Sequence, residues 1–440
     1  MSRDLLIRNV PEHIDTWVTS GMNRTGLRQT EFLRGVLDQA YGQGYSPTLF
    51  DRLEPEVRIL PESLPFRFID LFAGIGGFRV ALKKLGGECV FSCEYDKYAR
   101  RTYGAWFSET GDRNFGDINE LKENEIDTIV PDHDLLAAGF PCQPFSLAGV
   151  SKKNSLGHAH GFKCERQGNL FFRIADIVRI KRPPVLMLEN VKNLSSHDKG
   201  RTWQVIRSTL EEELGYRVFS TIVDASHWVP QHRERFLVVC FDRKVFGSDM
   251  NFEFPDLPDG PKPVLASILE SDPPAKYVLT DHLWKYLQNY AAKHKKKGNG
   301  FGFGLVGPDD RARTMSARYH KDGSEILIKA PKGGHRGMTG SGKSRTNPRR
   351  LTIKECSRLM GFTDEYAEIF NGTDGFQQVV SDTQAYRQFG NAVVPAMVEH
   401  AGRAVISTLA EHILHSGNGC LLKNGRRSNG HKKSTVRVAV

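Results

Sequence analysis

The chain has 440 residues, enough for two or three domains, and its 39% hydrophobic and 25% charged residues are the balance of an ordinary soluble globular protein. Lys and Arg number 61 against 51 Asp and Glu, a net charge of +10 that suits a polyanionic partner. No run of about 18 apolar residues and no signal-peptide core is present, which argues against a membrane span or secretion and for a cytoplasmic protein. The seven cysteines are scattered without a Cys-x-x-Cys pair, which argues against a disulfide framework or a structural metal.

Residues 1–43 read as a small module. Asp4 to Val10 suits a short strand stopped by Pro11. Ile14, Trp17 and Val18 share one helical face, and Phe32, Leu33, Val36 and Leu37 share another, with Thr30 as a cap. So short a strand–helix–helix unit cannot bury a core alone and favours a dimer. It resembles the ribbon-helix-helix DNA-binding modules, a resemblance that puts Arg3 and Arg8 on the base-reading face of the strand. The bland reading is an adaptor packed on the rest of the chain. Residues 44–65, with Pro47, Pro55, Pro61 and Pro65, read as a linker.

Residues 66–242 read as a catalytic, cofactor-binding domain. Phe66 to Phe72 is an apolar strand that runs into Ala73-Gly74-Ile75-Gly76-Gly77, after which Phe78, Val80, Ala81 and Leu85 have helical spacing. A strand–glycine turn–helix lets backbone approach a ligand, and the missing Gly-x-Gly-x-x-Gly spacing disfavours a dinucleotide. The strand Glu88 to Cys93 ends in Glu94, placed for ribose hydroxyls, and Asp117 follows a third element. Asp134 to Ala138 predicts a buried strand emptying at Gly139 into Phe140-Pro141-Cys142-Gln143-Pro144-Phe145-Ser146. Val185 to Val191 is another strand, ending on Glu189, and Gln231-His232-Arg233-Glu234-Arg235 leads into a strand from Phe236 to Phe241. Arg233 and Arg235, two apart on extended chain, would project to one face. Without context, Cys142 would be a buried hydrophobe, Glu189 a solvated strand end, and the arginines a surface cluster.

In this order, Asp70-Leu71-Phe72-Ala73-Gly74, Pro141-Cys142-Gln143, Glu189-Asn190-Val191 and Gln231-x-Arg233-x-Arg235 resemble the motifs of the DNA cytosine-5 methyltransferases. The resemblance covers about residues 66–412. It implies an α/β S-adenosylmethionine-dependent methyltransferase fold, with a mostly parallel, Rossmann-like sheet and a smaller target-recognition domain, the ribbon-helix-helix being additional. The cofactor would be S-adenosylmethionine, with no metal, held by Asp70, Phe72, Gly74, Gly76, Glu94, Asp117, Ile118, Pro141 and Asn391. Cytosine C5 is a poor nucleophile until a thiolate adds to C6, and the resemblance assigns that thiolate to Cys142. Glu189 would contact N3 and the exocyclic amine, and Arg233 and Arg235 a phosphate and the cytosine O2. The Gly-, Ser- and Lys-rich stretch 147–168 reads as a lid over a flipped base, with Ser151 and Lys152 on phosphates.

Residues 243–350 read as the target-recognition domain, with a basic run from Lys293 to Lys297, a glycine-aromatic segment to Gly304, and Arg311, Arg313 and Arg318 as DNA contacts. Thr314 to Tyr319, Asp322 to Ile328 and Leu283 to Leu287 look like the Dcm-type methylases, which implies the inner cytosine of CCWGG as target. Residues 351–415 close the fold: Arg358 to Phe362 and Tyr386 to Pro395 resemble the last two family motifs, with a helix from Pro395 to Leu409 returning to the catalytic domain. Residues 416–440 read as a basic, disordered tail. The expected activity is methylation of C5 of a flipped cytosine in double-stranded DNA in the bacterial cytoplasm or nucleoid. As the modification enzyme of a restriction-modification system it would have a restriction endonuclease acting on the same site as partner, the alternative being a solitary methylase; the chain's own promoter, bound through residues 1–43, would be a further partner. The alternatives are an RNA cytosine-5 methyltransferase of similar fold and a protein that is mainly a transcriptional regulator. Amino-group methylation is disfavoured, because no Asp/Asn/Ser-Pro-Pro-Tyr/Phe run is present.

Overall fold

The computed structural model describes residues 66–108, 114–141, 170–299, 302–321, 323–335, 345–370 and 376–416. The N-terminal module with Arg3 and Arg8, the linker, Cys142, the segment containing Ser151 and Lys152, and the C-terminal tail from residue 417 lie outside the described residues.

A seven-stranded sheet carries the fold. Its strands are β1 (Phe66–Leu71), β2 (Gly87–Cys93), β3 (Asn114–Phe115), β4 (Leu135–Gly139), β5 (Val185–Val191), β6 (Tyr216–Asp224) and β7 (Glu234–Asp242), in spatial order β3-β2-β1-β4-β5-β7-β6. The strands β1 to β5 pair in parallel, whereas β7 runs antiparallel to both β5 and β6. Helices α1 (Gly77–Lys84), α2 (Lys97–Phe107), α3 (Leu170–Lys181) and α4 (Arg201–Ser208) connect strands within this unit. The central strands read as unbroken apolar runs because both faces are covered. Leu135, Ala137, Val185 and Met187 face one core, with Val80, Trp106 and the C-terminal helices, while Leu136, Ala138, Leu186 and Leu188 face the other, with Phe171 and Ile174. Each fully buried Leu or Phe of these layers contributes about 1.5–3 kcal/mol.

The strand order reverses direction between β1 and β4, and in open α/β sheets the crevice beyond the carboxyl ends at such a switch point holds the ligand. Register completes the placement: Leu71 pairs with Ala138, and Gly139 pairs with Glu189. The turn after β1, the loop after β4 and the carboxylate of β5 therefore meet at one edge.

Beyond β7 come α5 (Asp281–Lys296), the two-residue strands β8 (Leu305–Val306) and β9 (Leu327–Ile328), then α6 (Ile353–Leu359), α7 (Asp382–Asn391) and α8 (Pro395–Ser416). The lysine run opening at Lys293 is the last turn of α5, where cations complement the helix dipole. Thr352 caps α6 and Glu355 closes the capping box. Arg349 holds Glu355 through two bonds of 2.7 Å, from Nη1 and Nη2, with side chains 4% and 0% exposed, and the Glu270 amide donates to Glu355 Oε1 at 2.8 Å. This buried pair ties Arg349, and with it the Glu270 backbone, to the base of α6. The helix α8 runs to Ser416, past the expected end at Leu409, and returns along α1, where a Cβ at Gly402 would meet Leu85 at 2.8 Å.

Candidate active site

At the carboxyl edge lies a cavity of about 680 Å³, walled by the turn after β1, the ends of β2, β4 and β5, and α7. Phe72, Gly74, Glu94, Asp117, Ile118, Pro141, Glu189, Arg233, Arg235 and Asn391 all line it.

The turn is tight. Phe72 sits at φ 55° and Gly74 at φ 55°, left-handed values that cost about 1–3 kcal/mol for a side-chain-bearing residue and little for glycine. A Cβ at Gly74 would meet nothing within 4 Å, so the backbone faces open cavity. Gly74 N donates to Glu94 Oε2 at 2.8 Å, and Asp96 N donates to Oε1 at 2.7 Å. Burial pushes the Glu94 carboxyl above its ordinary value, and the two amide bonds pull it part of the way back. Asp117 Oδ1 accepts from the backbone and side-chain nitrogens of Asn119, at 2.9 and 3.0 Å, which fixes the carboxylate on the opposite wall.

Two expected cofactor contacts stand elsewhere. Asp70 is 1% exposed behind the turn, where it accepts from the Tyr103 hydroxyl at 3.3 Å. Gly76, at φ 87°, packs on α2, where a Cβ would meet the Phe107 ring at 2.4 Å. Neither lines the cavity: both support the turn from behind, because alternation along β1 and the reversal at Phe72 face these residues inward.

Across the cavity, Glu189 Oε1 meets Arg235 Nε at 2.8 Å, each side chain 11% exposed. Burial raises the Glu189 carboxyl, and Arg235 and then Arg233 offset this in part. Asn190 Nδ2 donates to Phe140 O at 2.7 Å, pinning the chain just before Pro141 and Cys142. Arg233 departs from the expected paired face. It is 1% exposed, Nη1 donates to Met315 O at 2.9 Å, and Nη2 donates to Gly390 O at 3.0 Å and Ala392 O at 2.7 Å. Burial and the neighbouring Arg235 pull its pKa down. Both Nη groups are spent on carbonyls and Nε is buried, so Arg233 braces three segments and presents no free fork to a phosphate. Arg318 is exposed on the loop from Thr314 to Lys321, away from the cavity wall.

Sequence reasoning gave no role to Tyr95, 76% exposed beside Glu94 on the rim, or to Asn190. It also missed Gln384, Arg387 and Gln388, which complete the α7 wall beside the expected Asn391. The spacing of the four, i, i+3, i+4 and i+7, is the signal that would have shown one helical face.

Residues 66–407 match the family model described as C-5 cytosine-specific DNA methylase. The chain is 47% identical over 363 residues to the DNA-cytosine methyltransferase of Escherichia coli K12, covering 75% of each chain. It is 42% identical over 353 residues to the Type II methyltransferase M.DsaV of Dactylococcopsis salina, covering 79% of this chain and 87% of that one. Among solved structures, a Spodoptera frugiperda DNMT2 variant superposes with a TM-score of 0.56 at 20% identity, over 77% of this chain and 99% of that one. The Schizosaccharomyces pombe Dnmt2 methyltransferase gives 0.55 at 18%, over 79% and 99%. At such identities these two speak for the fold, which is that of the S-adenosylmethionine-dependent C5 methyltransferases. The family match and the curated relatives go further: the chain belongs to the C-5 cytosine-specific DNA methylases and is a DNA cytosine-5 methyltransferase.

Proposed function

We propose that the enzyme methylates C5 of a cytosine flipped out of duplex DNA, at the inner cytosine of CCWGG, with Cys142 as nucleophile. The observation that carries this reading is the pairing of Gly139 with Glu189, which brings the loop leading to Cys142 beside a buried carboxyl that is itself held by Arg235. The residues of the cavity fit S-adenosylmethionine: open space at the Gly74 backbone, an oriented Glu94 carboxylate for ribose hydroxyls, and Phe72 and Ile118 as apolar wall. When bound, that cofactor supplies an electrophilic methyl group. Glu94 and Asp117 would hold its adenosine, and Asn391 its methionine end.

The protein's own part is to make cytosine nucleophilic. Addition of the Cys142 thiolate to C6 forms an S–C6 bond and leaves an enamine-like C5. Glu189, whose pKa burial raises, donates to N3 in its protonated form and accepts from the exocyclic amine, while Arg235 orients Glu189 and holds O2. After C5 is methylated, loss of its proton and expulsion of the thiolate restore the ring. The exposed loop with Arg318, together with Ser151 and Lys152, would hold DNA.

The Type II designation of the M.DsaV relative supports a restriction endonuclease acting on the same site as partner. Residues 1–43 form a dimeric DNA-binding module that acts on the chain's own promoter, a reading that rests on the strand–helix–helix pattern. Among the described residues no helix is long and apolar enough to cross a membrane. The test is methyl transfer from labelled cofactor to a CCWGG duplex, a scrambled duplex and tRNA, with Cys142→Ala beside the parent. Transfer to CCWGG alone, lost in the variant, is expected, and transfer to tRNA in preference to duplex would overturn the reading. Deleting residues 1–43 is expected to abolish binding to upstream DNA, and unchanged binding would sink the promoter role.

A further inference from the structure

The sheet has one long open edge. At its far side β3 is two residues long, whereas β6 runs nine residues, Tyr216–Asp224, and among the described residues it pairs with β7 alone. Arg243 N donates to Gly215 O at 3.1 Å and Ala225 N to Arg233 O at 3.1 Å, both in register with the ladder between them. Those bonds fix the odd-numbered residues of β6 as the ones bonded to β7, so the amides and carbonyls of Val218, Ser220 and Ile222 point away from it. None of these groups has a backbone partner among the described residues. The side chains agree: Ile222 is 42% exposed opposite Phe236, and Val218 is partly buried on the same face. An open, partly apolar edge of this length is a template for another strand.

The chain carries a segment that fits this edge. Residues 417–440 lie outside the described residues, and within them Thr435-Val436-Arg437-Val438-Ala439-Val440 alternates, with Val436, Val438 and Val440 on one side. The preceding helix ends close to β6. The His412 ring of α8 lies 4.7 Å from that of Phe246, four residues beyond Asp242, which is the partner of Tyr216. Residues 417–433 reach up to about 55 Å when extended, and β6 is about 30 Å long, so either end of the edge is within range. We propose that residues 434–440 pair with β6 of the same chain as an eighth strand of the sheet, antiparallel to it. Val438 then stands opposite Ser220, Val436 opposite Ile222 and Val440 opposite Val218, which completes an apolar row. A parallel strand would set Arg437 opposite Phe219 and diagonal to Arg217, a like charge, whereas the antiparallel one sets it opposite Thr221.

The experiment is amide hydrogen exchange on the full chain, read residue by residue along Tyr216–Asp224. In the parent, Val218, Ser220 and Ile222 should exchange as slowly as Phe219 and Thr221, which β7 holds. Val438→Pro removes a ladder donor, and Val436→Asp puts a charge into the apolar row. Each should speed exchange at the three outward positions at least about tenfold and leave Phe219 and Thr221 within about twofold. Val438→Ile should keep the parent pattern. Free exchange at the three positions in the parent, or slow exchange unchanged in both disruptive variants, would overturn the proposal. Protection that rises with protein concentration, in step with a dimeric mass in light scattering, would overturn it too, because the edge would then belong to a second copy.

Discussion

Replacing Glu189 by Gln tests the catalytic reading at its centre. The side chain keeps its size, but the carboxyl that faces Arg235 at 2.8 Å is gone, and the amide cannot pass a proton to the cytosine N3. A positioned general acid contributes roughly a hundred- to ten-thousandfold. At ~1.36 kcal/mol per decade, that is about 3–5 kcal/mol of barrier. The assay is single-turnover methyl transfer to a CCWGG duplex as a function of pH. Burial raises the Glu189 pKa, and the protonated form is the one that donates, so the parent rate falls as pH rises through that raised value. Gln does not titrate, so the variant should be slow and should lack this alkaline limb. S-adenosylhomocysteine binding should be nearly unchanged. A rate within tenfold of the parent, with the alkaline limb intact, would refute the reasoning.

Three further outcomes follow from the geometry. Arg349→Leu strands the Glu355 carboxylate, 0% exposed, and should cost about 3–5 kcal/mol in urea denaturation. A loss below 1 kcal/mol would mean that the carboxyl is taken up by its remaining donors. Gly76→Ala, at φ 87° and 2.4 Å from Phe107, should cost about 2–4 kcal/mol of stability. Gly74→Ala should cost only about 1–2 kcal/mol of stability but lower cofactor affinity, because its methyl enters the cavity, and equal effects of the two variants on both readouts would contradict this division. Burial pulls the His133 pKa down to about 4, so only the unfolded chain takes this proton between pH 6.5 and 4. Stability present above pH 6.5 should therefore decline by up to ~3 kcal/mol as pH falls to 4. His133→Gln should flatten that slope in pH-dependent melting, and an unchanged slope would remove His133 as its source.

The central sheet was legible because its strands are closed apolar runs with a chemical stop: Phe66 to Leu71 ends at a glycine turn, and Val185 to Val191 carries Glu189 near its end. The positions of Glu94, Asp117 and Glu189 follow from the rule that strand ends face the crevice. The fate of Arg233 was not legible, because Met315, Gly390 and Ala392 lie far away in sequence and only the folded chain brings their carbonyls together. Asp70 misled for a related reason. It sits inside a glycine-turn motif, but strand alternation buries it against Tyr103. Of the α7 wall only Asn391 was legible, through its motif; the face is polar, and a search for apolar periodicity passes over Gln384, Arg387 and Gln388. Lys293 to Lys297 was visible as charge, but its place as a helix end shows only in the folded chain, where α5 runs through Lys296 and Lys297 is its cap.

Arg233 has one more consequence. Through one guanidinium it joins Met315, on the loop that carries Arg318, to Gly390 and Ala392, which flank the cavity residue Asn391. Were DNA to displace that loop, the shift would reach the wall where the cofactor's amino-acid end would lie, and the two binding equilibria would share a free energy of coupling. Linkage makes this reciprocal: the factor by which DNA changes the cofactor's Kd is the factor by which cofactor changes the Kd for DNA. Loading order, commitment to a site and release of the spent cofactor would then depend together on three carbonyl oxygens and the cation they share.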